Sequence, residues 1–118
     1  MDIRKLREWQ TLFTDLEAAY GHVDVLLNLA GYSRSGPALD MDEVEVHRHL
    51  DINVKGVVFG SQVAAAHMRK RATGHIVNMA SLAGIASVPN HALFSAAKHA
   101  VRGYSRALAL ELRGTGKE

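Results

Sequence analysis

The chain has 118 residues, enough for one domain, with 47% hydrophobic residues, 22% charged residues and a formal net charge of +2. This composition is typical of a globular protein and not of a disordered one. The small charge and the 6% of aromatic residues argue against nucleic-acid binding. A helix that spans a membrane needs about 18 consecutive apolar residues, and no apolar run in this chain is that long. With no cysteine, disulfides and thiolate chemistry are excluded, in agreement with a cytoplasmic protein.

The first third of the chain indicates a helix followed by a strand. Apolar side chains recur at three- and four-residue steps through residues 2–20, which predicts an amphipathic helix, with Gly21 as its C-cap. Residues 23–30 form a short, nearly continuous apolar run. Such a run is typical of a strand covered on both faces. Gly31 ends this strand, and a loop follows.

A long helical pattern occupies residues 42–71, where Asp40 or Asp42 could cap the helix. Three small residues share one face of this helix: Gly56, Gly60 and Ala64. Two interpretations stay open for that face. It packs on another helix or on the sheet of the same chain, or it forms a subunit interface.

The last third predicts a second buried strand at residues 75–80, a loop at 84–90 and a helix at 91–113. The element order is therefore α-β-α-β-α. Strands that alternate with helices predict an α/β protein with a parallel sheet and right-handed crossovers.

Chemistry-bearing side chains cluster near the end of the second strand. In α/β proteins, sites lie outside the carboxyl ends of the strands, which Ser81 and Lys98 would both reach. Phe94 lies one helical turn before Lys98 and would reach the same edge. The seven histidines show no metal-ligand spacing, because His47 and His49 point to different faces of a helix. We therefore expect no metal site.

Four segments in this order resemble the middle of a short-chain dehydrogenase/reductase, a family of Rossmann-type oxidoreductases that use NAD or NADP. Residues 24–31 are similar to the family's Asn-Asn-Ala-Gly segment, with Leu29 replacing the second asparagine. The other three are similar to the helix asparagine, the serine strand and the Tyr-x-x-x-Lys segment, at residues 51–56, 74–84 and 94–98.

The resemblance implies a partial Rossmann-type, doubly wound parallel sheet over residues 1–118, with two parallel strands and three helices. It also implies an alcohol or carbonyl substrate and an NAD or NADP cofactor. Ser81 would bind the substrate oxygen, Lys98 would hold the nicotinamide ribose, and Asn53 would support a proton relay. The remaining implied positions line the cofactor groove: Asn28, Ala30 and Gly31.

Two departures from the family's pattern predict impaired catalysis and weak cofactor binding. Phe94 occupies the position of the tyrosine that serves as general acid/base, and a phenyl ring has no proton to give. The family's Gly-x-x-x-Gly-x-Gly turn and the C-terminal strands are not found in these 118 residues. The alternatives are a non-catalytic regulatory chain and a truncated product with no role of its own. A regulatory chain would pair with itself or with a full-length relative through helices 42–71 and 91–113.

Overall fold

The computed structural model describes residues 1–79 and 87–113, in which helices alternate with two short strands. The elements are α1 (Leu6–Tyr20), β1 (Val25–Asn28), a 3₁₀ turn (Ala38–Asp40), α2 (Glu43–Leu50), a π turn (Asp51–Lys55), α3 (Gly56–Arg69), β2 (His75–Asn78) and α4 (Ala92–Arg113). None of these helices is long and apolar enough to cross a membrane.

The two strands pair in parallel, as the alternation of strands and helices predicts. Val25 lies opposite His75, and Asn28 lies opposite Asn78. The Met79 N–H donates to the Asn28 carbonyl at 3.2 Å, which extends the pairing by one residue. The carboxyl ends of both strands therefore meet at one edge of the sheet.

Only one face of this sheet is covered by the described part of the chain. Leu26 and Ile76 pack against the core under α1 and α3. Their neighbours on the opposite face, Val25 and Leu27, are 52% and 54% exposed. The prediction of strands covered on both faces is therefore wrong within residues 1–79 and 87–113. Successive strand residues point to opposite sides, and the helices that contact the core lie on one of them.

The hydrophobic core lies between α1 and α3. Its buried members are two aromatic residues of α1 and three residues of α3: Trp9, Phe13, Val63, Ala64 and Met68. The Trp9 indole N–H donates to the Ile3 carbonyl at 2.9 Å, so the polar edge of the ring is satisfied. The N-terminal segment is tied to the core in this way.

The small-residue face of α3 packs inside the chain. A Cβ atom on Gly60 would lie 2.8 Å from the Trp9 ring and 2.9 Å from Asn28 Oδ1, and one on Gly56 would lie 2.7 Å from Ile3. Ala64 is fully buried. Of the two interpretations of this face, packing within the chain is therefore confirmed, and a subunit interface there is wrong.

The helical run predicted over residues 42–71 is divided by a π turn at Asp51–Lys55. Asp42 caps its start, because its Oδ1 accepts the Glu45 N–H at 2.8 Å. Gly21 ends α1 as predicted, with φ of +87°. The π turn was not anticipated, since an i→i+5 register leaves no mark on the apolar periodicity. Such turns are frequent at functional sites.

Candidate active site

Lys98 is the centre of the candidate site. Its ammonium is buried against the end of β2, where Nζ donates to the Met79 carbonyl at 3.2 Å. Nζ also lies 5.4 Å from the centroid of the Phe94 ring, one helical turn earlier on α4. Burial lowers the pKa of this amine. The site therefore holds a desolvated cation between a carbonyl and an aromatic face.

Phe94 keeps an aromatic ring beside this cation but offers it no hydroxyl. The three tyrosines of the chain are placed elsewhere. Tyr20 is 76% exposed at the end of α1, and the Tyr32 hydroxyl donates to Glu45 Oε2 at 2.8 Å. Tyr104 borders a groove between α3 and α4. Phe94 is thus the aromatic residue that the structure sets against Lys98.

Asn53 lies in the π turn, fully buried, and its carboxamide pairs with the backbone of one loop residue. Its Oδ1 accepts the Tyr32 N–H at 2.8 Å, and its Nδ2 donates to the Tyr32 carbonyl at 2.6 Å. A Cβ atom on the preceding Gly31 would lie 3.2 Å from Asn53 Oδ1 and 4.0 Å from Lys98 Nζ. The structure therefore brings Gly31, Asn53 and Lys98 together, and a side chain larger than that of glycine would crowd the Asn53 carboxamide.

Asn28 is near this edge, but its side chain faces the helices. Its Nδ2 donates to Asn78 Oδ1 at 2.7 Å and contacts Ser61 at 3.4 Å. The side chain of Asn28 is thereby bonded to Asn78 and Ser61, and its carbonyl is bonded to the Met79 N–H. Ala30 is exposed just beyond the strand. Ser81, the predicted substrate-binding serine, lies outside the described residues.

Sequence reasoning missed two buried polar residues beside the site, Glu45 and His49. The Tyr32 hydroxyl hydrogen-bonds to Glu45 and holds the pKa of this carboxyl below its usual range. The His49 ring lies between the Arg34 N–H and the Glu45 carbonyl. The available signal was their four-residue spacing to Asn53, which places all three on one side of a helix.

No group of three His, Asp or Glu side chains within residues 1–79 and 87–113 could hold a metal ion.

A cavity of about 500 Å³ opens on α4, but its lining contains neither Phe94 nor Lys98. It is lined by Ser87, Val88, Pro89, Ala92, Ser95, Ala96 and His99. Within residues 1–79 and 87–113, the groups that the site offers are a buried amine, the Asn53 carboxamide and backbone carbonyl and amide groups.

Comparison with known proteins identifies the family. A sequence model described as short chain dehydrogenase matches residues 1–116. The chain belongs to the short-chain dehydrogenase/reductase family of oxidoreductases, and its α/β fold is of the Rossmann type. The order of the four recognised segments along the chain is thus accounted for.

Two curated relatives are similar over most of this chain. A diacetyl reductase of Staphylococcus epidermidis that forms (S)-acetoin is 34% identical over 98% of this chain and 45% of its own length. A 2-keto-3-deoxy-L-fuconate dehydrogenase of Xanthomonas campestris is 39% identical over 87% of this chain and 35% of its own length. The chain thus spans less than half the length of these two relatives.

Solved structures superpose closely on the whole chain. ElxO with NADP bound has a TM-score of 0.96 at 28% identity, covering 100% of this chain and 48% of its own. A tyrosine-to-phenylalanine variant of ElxO with NADPH bound has the same TM-score at 29% identity and the same coverage of both chains. A gluconate 5-dehydrogenase from Burkholderia cenocepacia, in complex with NADP and tartrate, also scores 0.96, at 27% identity over 100% of this chain and 46% of its own.

Proposed function

We propose that this chain carries the nicotinamide end of a short-chain dehydrogenase/reductase site, of the kind that transfers hydride between NAD or NADP and an alcohol or carbonyl compound. We further propose that this site is catalytically impaired. The observation that carries the proposal is the placement of Lys98 over the Phe94 ring at 5.4 Å. The cation that would assist a phenol is present, and the phenol is replaced.

The roles follow from the surroundings of each residue. Lys98 Nζ has donors left beyond its bond to the Met79 carbonyl, because an ammonium carries three. Those donors suit the hydroxyl groups of a nicotinamide ribose. Asn53 and Gly31 shape the adjoining groove. Ser81 lies outside the described residues, and the family resemblance alone assigns it the substrate oxygen. A carbonyl oxygen that accepts hydride needs a proton donor in the transition state, and Phe94 cannot supply one.

The cofactor and substrate classes are supported by the relatives. ElxO and the gluconate 5-dehydrogenase were solved with NADP or NADPH. By their names, other relatives act on diacetyl and on a keto-deoxy sugar acid. We propose a nicotinamide dinucleotide and a small alcohol or carbonyl compound for this site. The ElxO variant shows that loss of one tyrosine hydroxyl is compatible with a bound NADPH in that protein.

A turnover assay tests the proposed impairment. The chain is incubated with NADH or NADPH and small ketones, diacetyl among them, and nicotinamide oxidation is followed by absorbance. The expected rate equals that of Lys98→Ala, while Lys55→Ala serves as a control at an exposed helical lysine. Oxidation that Lys98→Ala abolishes and Lys55→Ala leaves intact would contradict the proposal.

A second candidate function is non-catalytic pairing, either with a second copy or with a full-length relative. Helices α3 and α4 border an open groove of about 210 Å³ that combines apolar walls with Arg69 and Glu111. Light scattering after size-exclusion chromatography measures the mass. Leu108→Glu, in this groove, should convert a dimer to a monomer, and Leu39→Glu, on the exposed 3₁₀ turn, should not. A monomeric parent chain that binds no relative would exclude this function.

A further inference from the structure

The loop 31–36, which follows β1, is held by three side chains from one side of the helical run 43–55. Glu45, His49 and Asn53 recur at four-residue steps, and all three are buried. We call these three residues the loop anchors. Asn53 holds the backbone of Tyr32, as described above, while Glu45 and His49 hold the loop further from β1.

Glu45 fixes two side chains of the loop. Its Oε2 accepts the Tyr32 hydroxyl at 2.8 Å, and its Oε1 lies 3.3 Å from the Arg34 guanidinium. Arg48 reaches the same carboxylate at 3.5 Å and stacks over the Tyr32 ring at 5.4 Å. These donors lower the pKa of Glu45, so the carboxylate is charged at neutral pH and is paired with the two guanidinium groups of Arg34 and Arg48.

His49 fixes the backbone of the loop. Its Nε2 accepts the Arg34 N–H at 3.2 Å, so this nitrogen carries no hydrogen. Its Nδ1 is therefore the protonated nitrogen, and it donates to the Glu45 carbonyl at 2.8 Å. The Tyr32 ring packs edge-on against the imidazole, with the ring centroids 5.0 Å apart. Both ring nitrogens of a fully buried histidine are thus used to hold residue 34 in place.

The loop so held is the one that contacts the candidate site. A Cβ atom on Gly31 would lie 3.2 Å from Asn53 Oδ1, which is a tight contact, and 4.0 Å from Lys98 Nζ, so this residue lies beside both side chains. Movement of the loop away from α2 would therefore change the separation between Gly31 and the ammonium directly.

We propose that Glu45 and His49 are positioning residues that fix how closely Gly31 approaches Lys98, and so set the width of the groove beside this amine. The proposal rests on the proposed function in one respect, because the groove is the place assigned to the nicotinamide ribose. Neither residue touches that position, so both act through the loop 31–36.

The test compares His49→Leu, which removes the acceptor for the Arg34 N–H, with His49→Gln, whose carboxamide oxygen reaches the same place. Two readouts are measured by nuclear magnetic resonance: amide hydrogen exchange at residue 34 and the pKa of Lys98. Neither needs nicotinamide or turnover, so the result is independent of whether the proposed function holds. His47→Leu, at an exposed position on the same helix, is the matched control.

His49→Leu should speed exchange of the Arg34 amide about tenfold, because a buried N–H loses its partner. It should also raise the pKa of Lys98 toward the ordinary value of 10.5, because water reaches the amine through the widened groove. His49→Gln and His47→Leu should leave both readouts unchanged. A stable His49→Leu variant with the parent pKa of Lys98 would overturn the proposal, as would equal Arg34 exchange in the Leu and Gln variants.

A second pair of variants covers the case in which leucine prevents folding. His49→Asn is too short to reach the Arg34 N–H, whereas His49→Gln is long enough, and both are neutral amides. The asparagine variant should show the faster Arg34 exchange and the higher Lys98 pKa. Identical behaviour of the two would refute a positioning role for His49.

Discussion

Replacing Phe94 with tyrosine places a phenol beside Lys98, and the charge of the amine should be visible in the titration of this new hydroxyl. The ring of residue 94 already lies 5.4 Å from Lys98 Nζ, so no rearrangement is needed. For charges about 5 Å apart at an effective dielectric constant of about 40, the attraction is about 1.7 kcal/mol, or about one pH unit. A cation favours phenolate, so the shift is downward.

The assay compares Phe94→Tyr with the double variant Phe94→Tyr/Lys98→Met. Both carry the same phenol in similar burial, and only one carries the cation, so the difference between their phenol pKa values isolates the effect of the charge. Phenolate absorbance is followed against pH, and the titration of the parent chain is subtracted to remove the native tyrosines. The single variant should titrate about one pH unit below the double variant. Equal pKa values in the two would refute the assignment of residue 94 to the acid/base position.

Four further substitutions concern stability. Gly60→Ala should lower the free energy of unfolding by about 1–3 kcal/mol in urea titrations, because its Cβ meets the indole ring beneath α3 at 2.8 Å. Gly103→Ala, with nothing within 4 Å, should raise it by about 0.5–1 kcal/mol, and a loss there equal to that at Gly60 would contradict the packing argument. Asn53→Ala should lower the free energy of unfolding by about 2–3 kcal/mol, because two loop hydrogen bonds are lost at a buried site. An unchanged free energy of unfolding would contradict this explanation. The hydrogen bond to His67 lowers the pKa of Glu17. The stability that this carboxylate adds to the folded chain is therefore present above the ordinary pKa of 4.5 and is lost as pH falls through the folded pKa. Glu17→Gln should remove this part of the acid sensitivity, and an unchanged dependence of the free energy of unfolding on pH would exclude it.

The order of the elements was predictable from the sequence because the apolar periodicity agrees with the residues that begin and end the helices. Gly21 ends α1 and Asp42 begins α2, and each acts through a cap that its residue type favours. The coverage of the strands was not predictable in the same way. In residues 23–30 the odd-numbered residues are all apolar, whereas the other face includes Asp24 and Asn28. The pattern therefore does not predict that Leu27 is exposed while Leu26 packs inward.

The pairing of Phe94 with Lys98 was predictable because four residues make one helical turn. Its relation to Asn53 and Gly31 came from the family resemblance, since no spacing links a loop, a helix and a second helix. Glu45 was not predicted as part of the site, because a glutamate in the first turn of a helix suits that position whether or not it is buried. Its burial depends on partners brought from the loop 31–36 by the fold.

Within residues 1–79 and 87–113, the contacts that hold the site together do not need a hydroxyl at residue 94. Asn53 pairs with Tyr32, Lys98 Nζ bonds to Met79, and the aromatic face beside the amine is the same for phenylalanine and tyrosine. These contacts therefore place the amine without a hydroxyl at residue 94. This explains how the chain can superpose on NADP-bound ElxO with a TM-score of 0.96 while a phenyl ring, which has no acidic proton, stands at residue 94. Similarity of fold indicates where a site lies, whereas the chemistry of this site depends on the side chain at residue 94.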